Sequence, residues 1–254
     1  MAGARADVAL RLGLGMLLLQ FAIGAANDFA DAPADAVAKP WKPIPAGLIG
    51  RKTAALVCVV ACAAGLTAAA TVSAPALIVA VVGLADGLGY DLRLKATPAA
   101  WVPFAAGVGL LPLYAWLGAR GSVPLAFLGV VATAVLAGAA LALANAYVDF
   151  DRDRRSGVRS IAVYLGERRT LAVDAGLLAV VQIVAVATTV AGNGPVALTA
   201  VVAAGCGVGW LGLSLAWLRD DRVRPLVWEV QAVGLAIMGT AWLASLHAAG
   251  LLGG

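Results

Sequence analysis

Asn27-Asp28-Phe29-Ala30-Asp31-Ala32-Pro33-Ala34-Asp35 and Asn145-Ala146-Tyr147-Val148-Asp149-Phe150-Asp151-Arg152-Asp153 read alike. Each fits N-x-x-x-D-x-x-x-D. Each closes an apolar run of membrane-spanning length, and each is followed by a burst of Lys and Arg. Carboxylates gathered at a membrane edge repel one another and are expensive to desolvate. A matched pair of such clusters therefore calls for cations. The economical reading is two metal sites facing one cavity, with basic residues gripping an anion that the metals bridge.

Working outward, the rest of the chain is apolar. Of 254 residues 62% are hydrophobic and 13% charged, and the mean hydropathy is +0.94. Soluble domains carry about 25% charged residues, so the expectation is an all-α, polytopic membrane bundle forming one domain over 1–254. About 20 apolar residues span a bilayer as helix. Eight such stretches are predicted, near 6–27, 53–72, 74–90, 100–118, 123–148, 170–191, 195–218 and 226–249. The first lacks a small-residue cleavage site and runs directly into the Asn27–Asp35 cluster, so it reads as a retained helix.

Charge placement predicts orientation. Fifteen of the 18 basic residues fall in the loops after helices one, three, five and seven; Arg5, Arg11 and Arg120 lie opposite. The positive-inside rule puts both acidic clusters on the cytoplasmic side. Arg219, Arg222 and Arg224 read as plain markers of that topology. The net charge of +4 is mostly this bias plus attraction to anionic lipid. No soluble basic domain is present, so nucleic acid is not an expected partner. Cys58, Cys62 and Cys206 sit in apolar runs and read as small buried residues. His247, the single histidine, is far from the clusters. High Ala, Gly and Val with Arg favoured over Lys suggests a GC-rich bacterial source.

The duplication extends past the acids. Leu48-Ile49-Gly50-Arg51-Lys52-Thr53 follows the first cluster and Tyr164-Leu165-Gly166-Glu167-Arg168-Arg169-Thr170 the second. Four helices separate the clusters, so both copies face the same side, as in a parallel repeat. Residues four apart advance about 40° around a helix. Asn27, Asp31 and Asp35 thus form one stripe, and Asn145, Asp149 and Asp153 another. Pro33 lacks an N–H and disfavours helix before it, so the first helix is predicted to end near Asp31. The second stripe can continue to Gly157. Mg²⁺ takes one or two carboxylates together with substrate phosphates and water, and the stripes offer such pairs. Off the stripes, Asp28 and Asp151 read as ion-pair partners for nearby cations. A diphosphate bridging two Mg²⁺ leaves oxygens for Arg and Lys. Lys39, Lys42, Arg93, Lys95, Arg154 and Arg159 are the candidates. Asp86 and Asp91 flank the end of the third helix. Asp86 reads equally as a base for an acceptor hydroxyl or as a partner for Arg93 or Lys95.

These residues resemble the UbiA-type intramembrane prenyltransferases. The first motif matches N-D-x-x-D-x-x-x-D at Asn27, Asp28, Asp31 and Asp35. Lys39-Pro40-Trp41-Lys42-Pro43-Ile44-Pro45-Ala46-Gly47 is similar to the basic stretch that follows it. Asp149 and Asp153 match the second motif, and Asp153 to Gly166 resembles its D-R-x-x-G-x-R extension. Tyr90-Asp91-Leu92-Arg93-Leu94-Lys95 is similar to the Tyr-rich basic turn between the motifs. The resemblance implies helices around a central cavity and binding of a prenyl diphosphate through Mg²⁺. It implies catalytic roles near Asp86, Tyr90 and Asp91, and attack by a small, aromatic acceptor in the bacterial inner membrane. Members usually have nine helices, one of them before the first motif, and that helix is expected to be absent here. The leading expectation is prenyl transfer. A terpene cyclase of the same architecture and a transporter are the alternatives. The sequence leaves acceptor, chain length and oligomeric state open.

Overall fold

The computed structural model describes residues 4–218 and 220–252, so Arg219 lies outside the described residues. Those residues form helices and short turns, with no strand among them. Among the described residues eight helices are long and apolar enough to cross a membrane. In chain order the helices are α1 (Ala6–Ala38), α2 (Arg51–Ala70), α3 (Ala74–Gly89), α4 (Trp101–Arg120) and α5 (Leu125–Val148). There follow α6 (Phe150–Ser156), α7 (Ile161–Leu165), α8 (Glu167–Ala191), α9 (Val196–Ser214) and α10 (Arg224–Ala248). A π-helical turn, Tyr90–Leu94, extends α3, and a 3₁₀ turn, Leu215–Leu218, extends α9.

By packing, the described chain divides into two compact units. One takes the described chain up to Lys95 with Leu113–Val123; the other takes Ala96–Pro112 with the described chain from Pro124 onward. The boundary in α4 falls beside Pro112, which has no N–H to give the helix ladder. Each unit carries one of the two acidic motifs.

In the first unit α1 packs along α2, and α3 packs on both. Helix α1 does not stop near Asp31: it runs through Pro33 to Ala38. The reason lies outside the helix. Proline at 33 deprives the Phe29 carbonyl of its usual i+4 donor. Arg51, at the start of α2, donates to that carbonyl at 3.4 Å, and its guanidinium stacks over the Phe29 ring at 4.5 Å. The carbonyl that the proline leaves unmatched is thus answered by a side chain 22 positions after Phe29.

In the second unit α9 and α10 pack most extensively, and α5 packs against α8 and α10. Small residues allow the α9–α10 approach. A Cβ on Gly205 would lie 2.5 Å from the Met238 backbone nitrogen, and one on Gly212 would lie 2.5 Å from that of Gln231. The second acidic stripe is nearly continuous. A one-residue break at Asp149 (φ −88°, ψ 0°) separates α5 from α6, and Gly157 ends α6 in the left-handed conformation.

Candidate active site

The first motif is gathered by two lysines from two different segments. Lys42, in the loop after α1, lies 2.7 Å from Asp35 Oδ2 and 2.9 Å from Asp28 Oδ1. Burial works against the Lys42 ammonium, but its hydrogen bonds to Asp35 and Asp28 outweigh that and hold its pKa above the ordinary value. Lys95, just past the π-helical turn, donates to Asn27 Oδ1 at 3.0 Å and pairs with Asp31. The turn thus delivers its terminal cation onto residues 64 and 68 positions earlier. The π geometry also sets Asp91 inward. Asp91 is 7% exposed, and its Oδ2 has no hydrogen-bond partner. Such single π turns often occur at functional sites.

The other candidates of this unit are less engaged. Lys39 caps α1 through its backbone N–H, 2.7 Å from Asp35 O. Arg93 points outward and is exposed. Asp86, half-buried in the last turn of α3, joins no ion pair among the described residues, and Lys95 is spent on Asp31 instead. Tyr90 opens the π turn and is half-buried.

In the second unit Asn145 O accepts from Asp149 N–H at 3.3 Å, and Asp149 O accepts from Asp153 N–H at 2.9 Å. The Asp149 and Asp153 carboxylates share one cation, Arg152, at 2.6 and 3.6 Å. Burial pushes the Asp153 carboxyl above its ordinary pKa; Asp149 adds to this, while Ser160 and Arg152 oppose it. Asp151, off the stripe, pairs with Arg224. Arg154 and Arg159 are exposed and join no ion pair among the described residues. Arg154 lines a separate basic pocket with Arg168 and Arg169.

Three residues escaped the sequence reading. Arg152 was passed over as one of a run of arginines. Arg224 is no plain topology marker: it pairs with Asp151, binds Glu167 at 3.0 Å and lies 5.0 Å over the Tyr147 ring. Asp174 stands fully buried inside α8, accepting from Gln231 Nε2 at 2.8 Å. A lone acid within an apolar run was the available signal.

The donor set fits Mg²⁺ in kind. It is all oxygen, arranged as carboxylate and amide groups four residues apart, and Asp91 adds an orphaned buried oxygen beside the first motif. Among the described residues no three acidic, His or Cys side chains already converge closely enough to hold a metal alone. Mg²⁺ needs only one or two of them when phosphate oxygens and water complete its shell.

Residues 2–230 match the UbiA prenyltransferase family. A digeranylgeranylglyceryl phosphate synthase of Halobacterium salinarum is 32% identical over 151 residues, 59% of this chain and 54% of that protein. The chain therefore spans about half the length of that curated relative. The enzyme of the same name from Natronomonas pharaonis is 28% identical over 213 residues, covering 80% and 76%. Among solved structures, a UbiA homologue from Archaeoglobus fulgidus bound to GPP and Mg²⁺ superposes with a TM-score of 0.71. It is 18% identical and covers 96% of this chain and 90% of its own, so the likeness is one of fold. These named organisms are archaeal, and the suggested bacterial source finds no support among them.

Proposed function

Because the chain belongs to the UbiA prenyltransferase family, we propose that it joins the prenyl group of a prenyl diphosphate to a glyceryl phosphate acceptor, with Mg²⁺ as cofactor. The chain is an integral membrane protein, with eight helices of spanning length among the described residues. The relatives' name supports the acceptor class, and the GPP and Mg²⁺ of the Archaeoglobus structure support the donor and the metal. The aromatic acceptor expected from the sequence has no such support and gives way to the glyceryl phosphate.

One observation carries the chemistry: Lys95 and the orphaned Asp91 carboxylate meet the Asn27–Asp31 motif on the same turn. In the proposed reaction the allylic C–O bond breaks and the diphosphate leaves with the electron pair. The acceptor hydroxyl oxygen bonds to the allylic carbon and gives up its proton. Asn27, Asp31, Asp35, Asn145, Asp149 and Asp153 would hold Mg²⁺, which when bound supplies positive charge to the leaving diphosphate. Lys95 and Lys42 already stand among the carboxylates of the first motif and are the cations a diphosphate there would meet first. Lys39, Arg93, Arg154 and Arg159 are the further candidates for its oxygens. Asp91 Oδ2, buried and unpartnered, is our choice to take the proton, with Asp86 and Tyr90 flanking it. The apolar helices shield a developing carbocation from water.

The test is product analysis by mass spectrometry. Purified, lipid-reconstituted protein receives C10, C15 and C20 prenyl diphosphates with a prenylglyceryl phosphate, an aromatic hydroxy acid, or no acceptor. A prenyl ether formed only with the glyceryl phosphate is expected. A C-prenylated aromatic product, or a cyclised hydrocarbon without acceptor, would refute the assignment.

A further inference from the structure

The second unit holds two adjoining cavities that touch the second motif only through Tyr147 and Phe150, on neither of which its acidic stripe stands. One, of about 380 Å³, is lined by Phe150, Arg154, Leu165, Arg168 and Arg169. The other, of about 640 Å³, is a groove between the first turns of α8 and the last turns of α9. They meet at Glu167 and Arg168, which line both. Their chemistry differs sharply. The small pocket gathers three guanidinium groups. Its one carboxylate, Glu167, is already bound by Arg224 at 3.0 Å. Arg154, Arg168 and Arg169 form no ion pair among the described residues, so the pocket keeps a surplus of positive charge.

The groove is apolar. Buried Leu213, Ala216 and Tyr147 form its floor, and the Tyr147 hydroxyl is turned aside to donate to Ala216 O at 3.3 Å. Leu171 and Trp210 wall it, and Trp217, 81% exposed, stands at its mouth. Both α8 and α9 are helices of membrane-spanning length, so this groove opens on the side chains that lipid would cover. Its volume lies in the usual range of about 300–1,000 Å³ for ligand sites. Tryptophans with an apolar body and a polar edge suit interface depth.

We propose that the two cavities together hold one anionic membrane lipid, with its phosphate among Arg154, Arg168 and Arg169 and its hydrocarbon chain in the α8–α9 groove. Guanidinium is the side chain best matched to phosphate oxygens, and the shared residues make headgroup and chain continuous. The occupant comes from the bilayer: a soluble phosphate would fill only the smaller cavity. This inference rests on the membrane placement of α8 and α9; it shares Arg154 alone with the candidate diphosphate residues, and its test therefore uses Arg168 and Arg169, which belong to no part of that site.

Trp210 and Trp217 supply the readout. The intact protein in zwitterionic nanodiscs is titrated with phosphatidic acid brominated along its acyl chains, and tryptophan quenching is recorded. Brominated phosphatidylcholine is the reference. Phosphatidic acid is expected to quench at the lower mole fraction, and the W210F/W217F variant to lose that difference. Arg168→Gln with Arg169→Gln is expected to raise the midpoint about fivefold per arginine, roughly 25-fold together. The Lys versions of both positions keep the charge and are expected to stay within a few-fold of the parent, which separates lost binding from lost folding. Equal quenching by the two lipids would overturn the proposal. So would a preference that survives either the glutamine pair or W210F/W217F. Full displacement by an equal concentration of soluble glycerol 3-phosphate would also overturn it, because the chain would then contribute nothing.

Discussion

Replacing Gly205 by alanine pushes a methyl group into the backbone of the neighbouring helix. The added Cβ would stand 2.5 Å from Met238 N, 2.8 Å from Met238 Cα and 2.9 Å from Gly234 O. Ordinary contact begins near 3.4 Å, so α9 and α10 must part by about 0.9 Å at this point (3.4 − 2.5). The obstacle is backbone, which has no rotamer to change. Overpacking of this kind costs about 1–3 kcal/mol. Gly212→Ala meets Gln231 N at 2.5 Å and carries a similar penalty. Both glycines sit on one seam, so helices already parted by the first alanine accommodate the second more easily. The double variant is therefore expected to lose less than the sum of the singles. Gly207 is the control, since a Cβ there meets nothing within 4 Å and alanine is the better helix former. Thermal unfolding in one detergent, followed by circular dichroism, reads all four variants. Equal losses from Gly207→Ala and Gly205→Ala, or strict additivity of the seam pair, would refute the reasoning.

Three further outcomes follow from named contacts. Arg51→Ala removes a hydrogen bond to the Phe29 carbonyl and a cation–π contact, together about 1–2 kcal/mol. Adding Pro33→Ala restores an N–H for that carbonyl, so a thermal-stability cycle should show rescue, and no coupling would dismiss the link. Gln231→Leu leaves the Asp174 carboxylate buried without its donor and is expected to cost about 1–3 kcal/mol. The double change with Asp174→Leu is expected to cost less in the same melts, and a larger loss in the double would contradict the pairing. Lys95→Met removes the cation proposed to meet the leaving diphosphate, and a charged hydrogen bond to that group is worth about 1.5–3 kcal/mol, so kcat/KM in the prenyl-transfer assay should fall roughly 10- to 150-fold. An unchanged kcat/KM would take Lys95 out of the site.

Membrane class and helix number were legible because both depend on local composition. A run of about 20 apolar residues has few fates other than a span, and all eight expected stretches fall on helices of spanning length. The acidic motifs were legible as stripes because four-residue spacing is a property of the helix itself. What the chain does not announce is which distant group answers a local defect. Pro33 argued for an early end to α1, and the argument was sound for an isolated helix. Arg51 overturned it from the next helix, and no rule of spacing links positions 29 and 51. The same holds for Lys95. Its basic turn was visible, but its approach to Asn27 and Asp31 depends on the π geometry of Tyr90–Leu94 and the packing of α3 on α1. Arg224 looked like one of several loop cations until the fold set it against Asp151, Glu167 and Tyr147. The acceptor was hidden for a different reason: in the proposed reaction the motifs serve the leaving diphosphate, which is common to every acceptor.

The central claim is that both acidic motifs act on the diphosphate through Mg²⁺. The most direct measurement is the initial rate of prenyl-ether formation against Mg²⁺ concentration for the parent protein, Asp31→Asn and Asp149→Asn, each verified as folded by its melt. The account predicts a rate that vanishes on chelation and returns with Mg²⁺, and a fall of about 10²–10³-fold in each variant. Transfer that persists without divalent cations, or survives both substitutions undiminished, would contradict it.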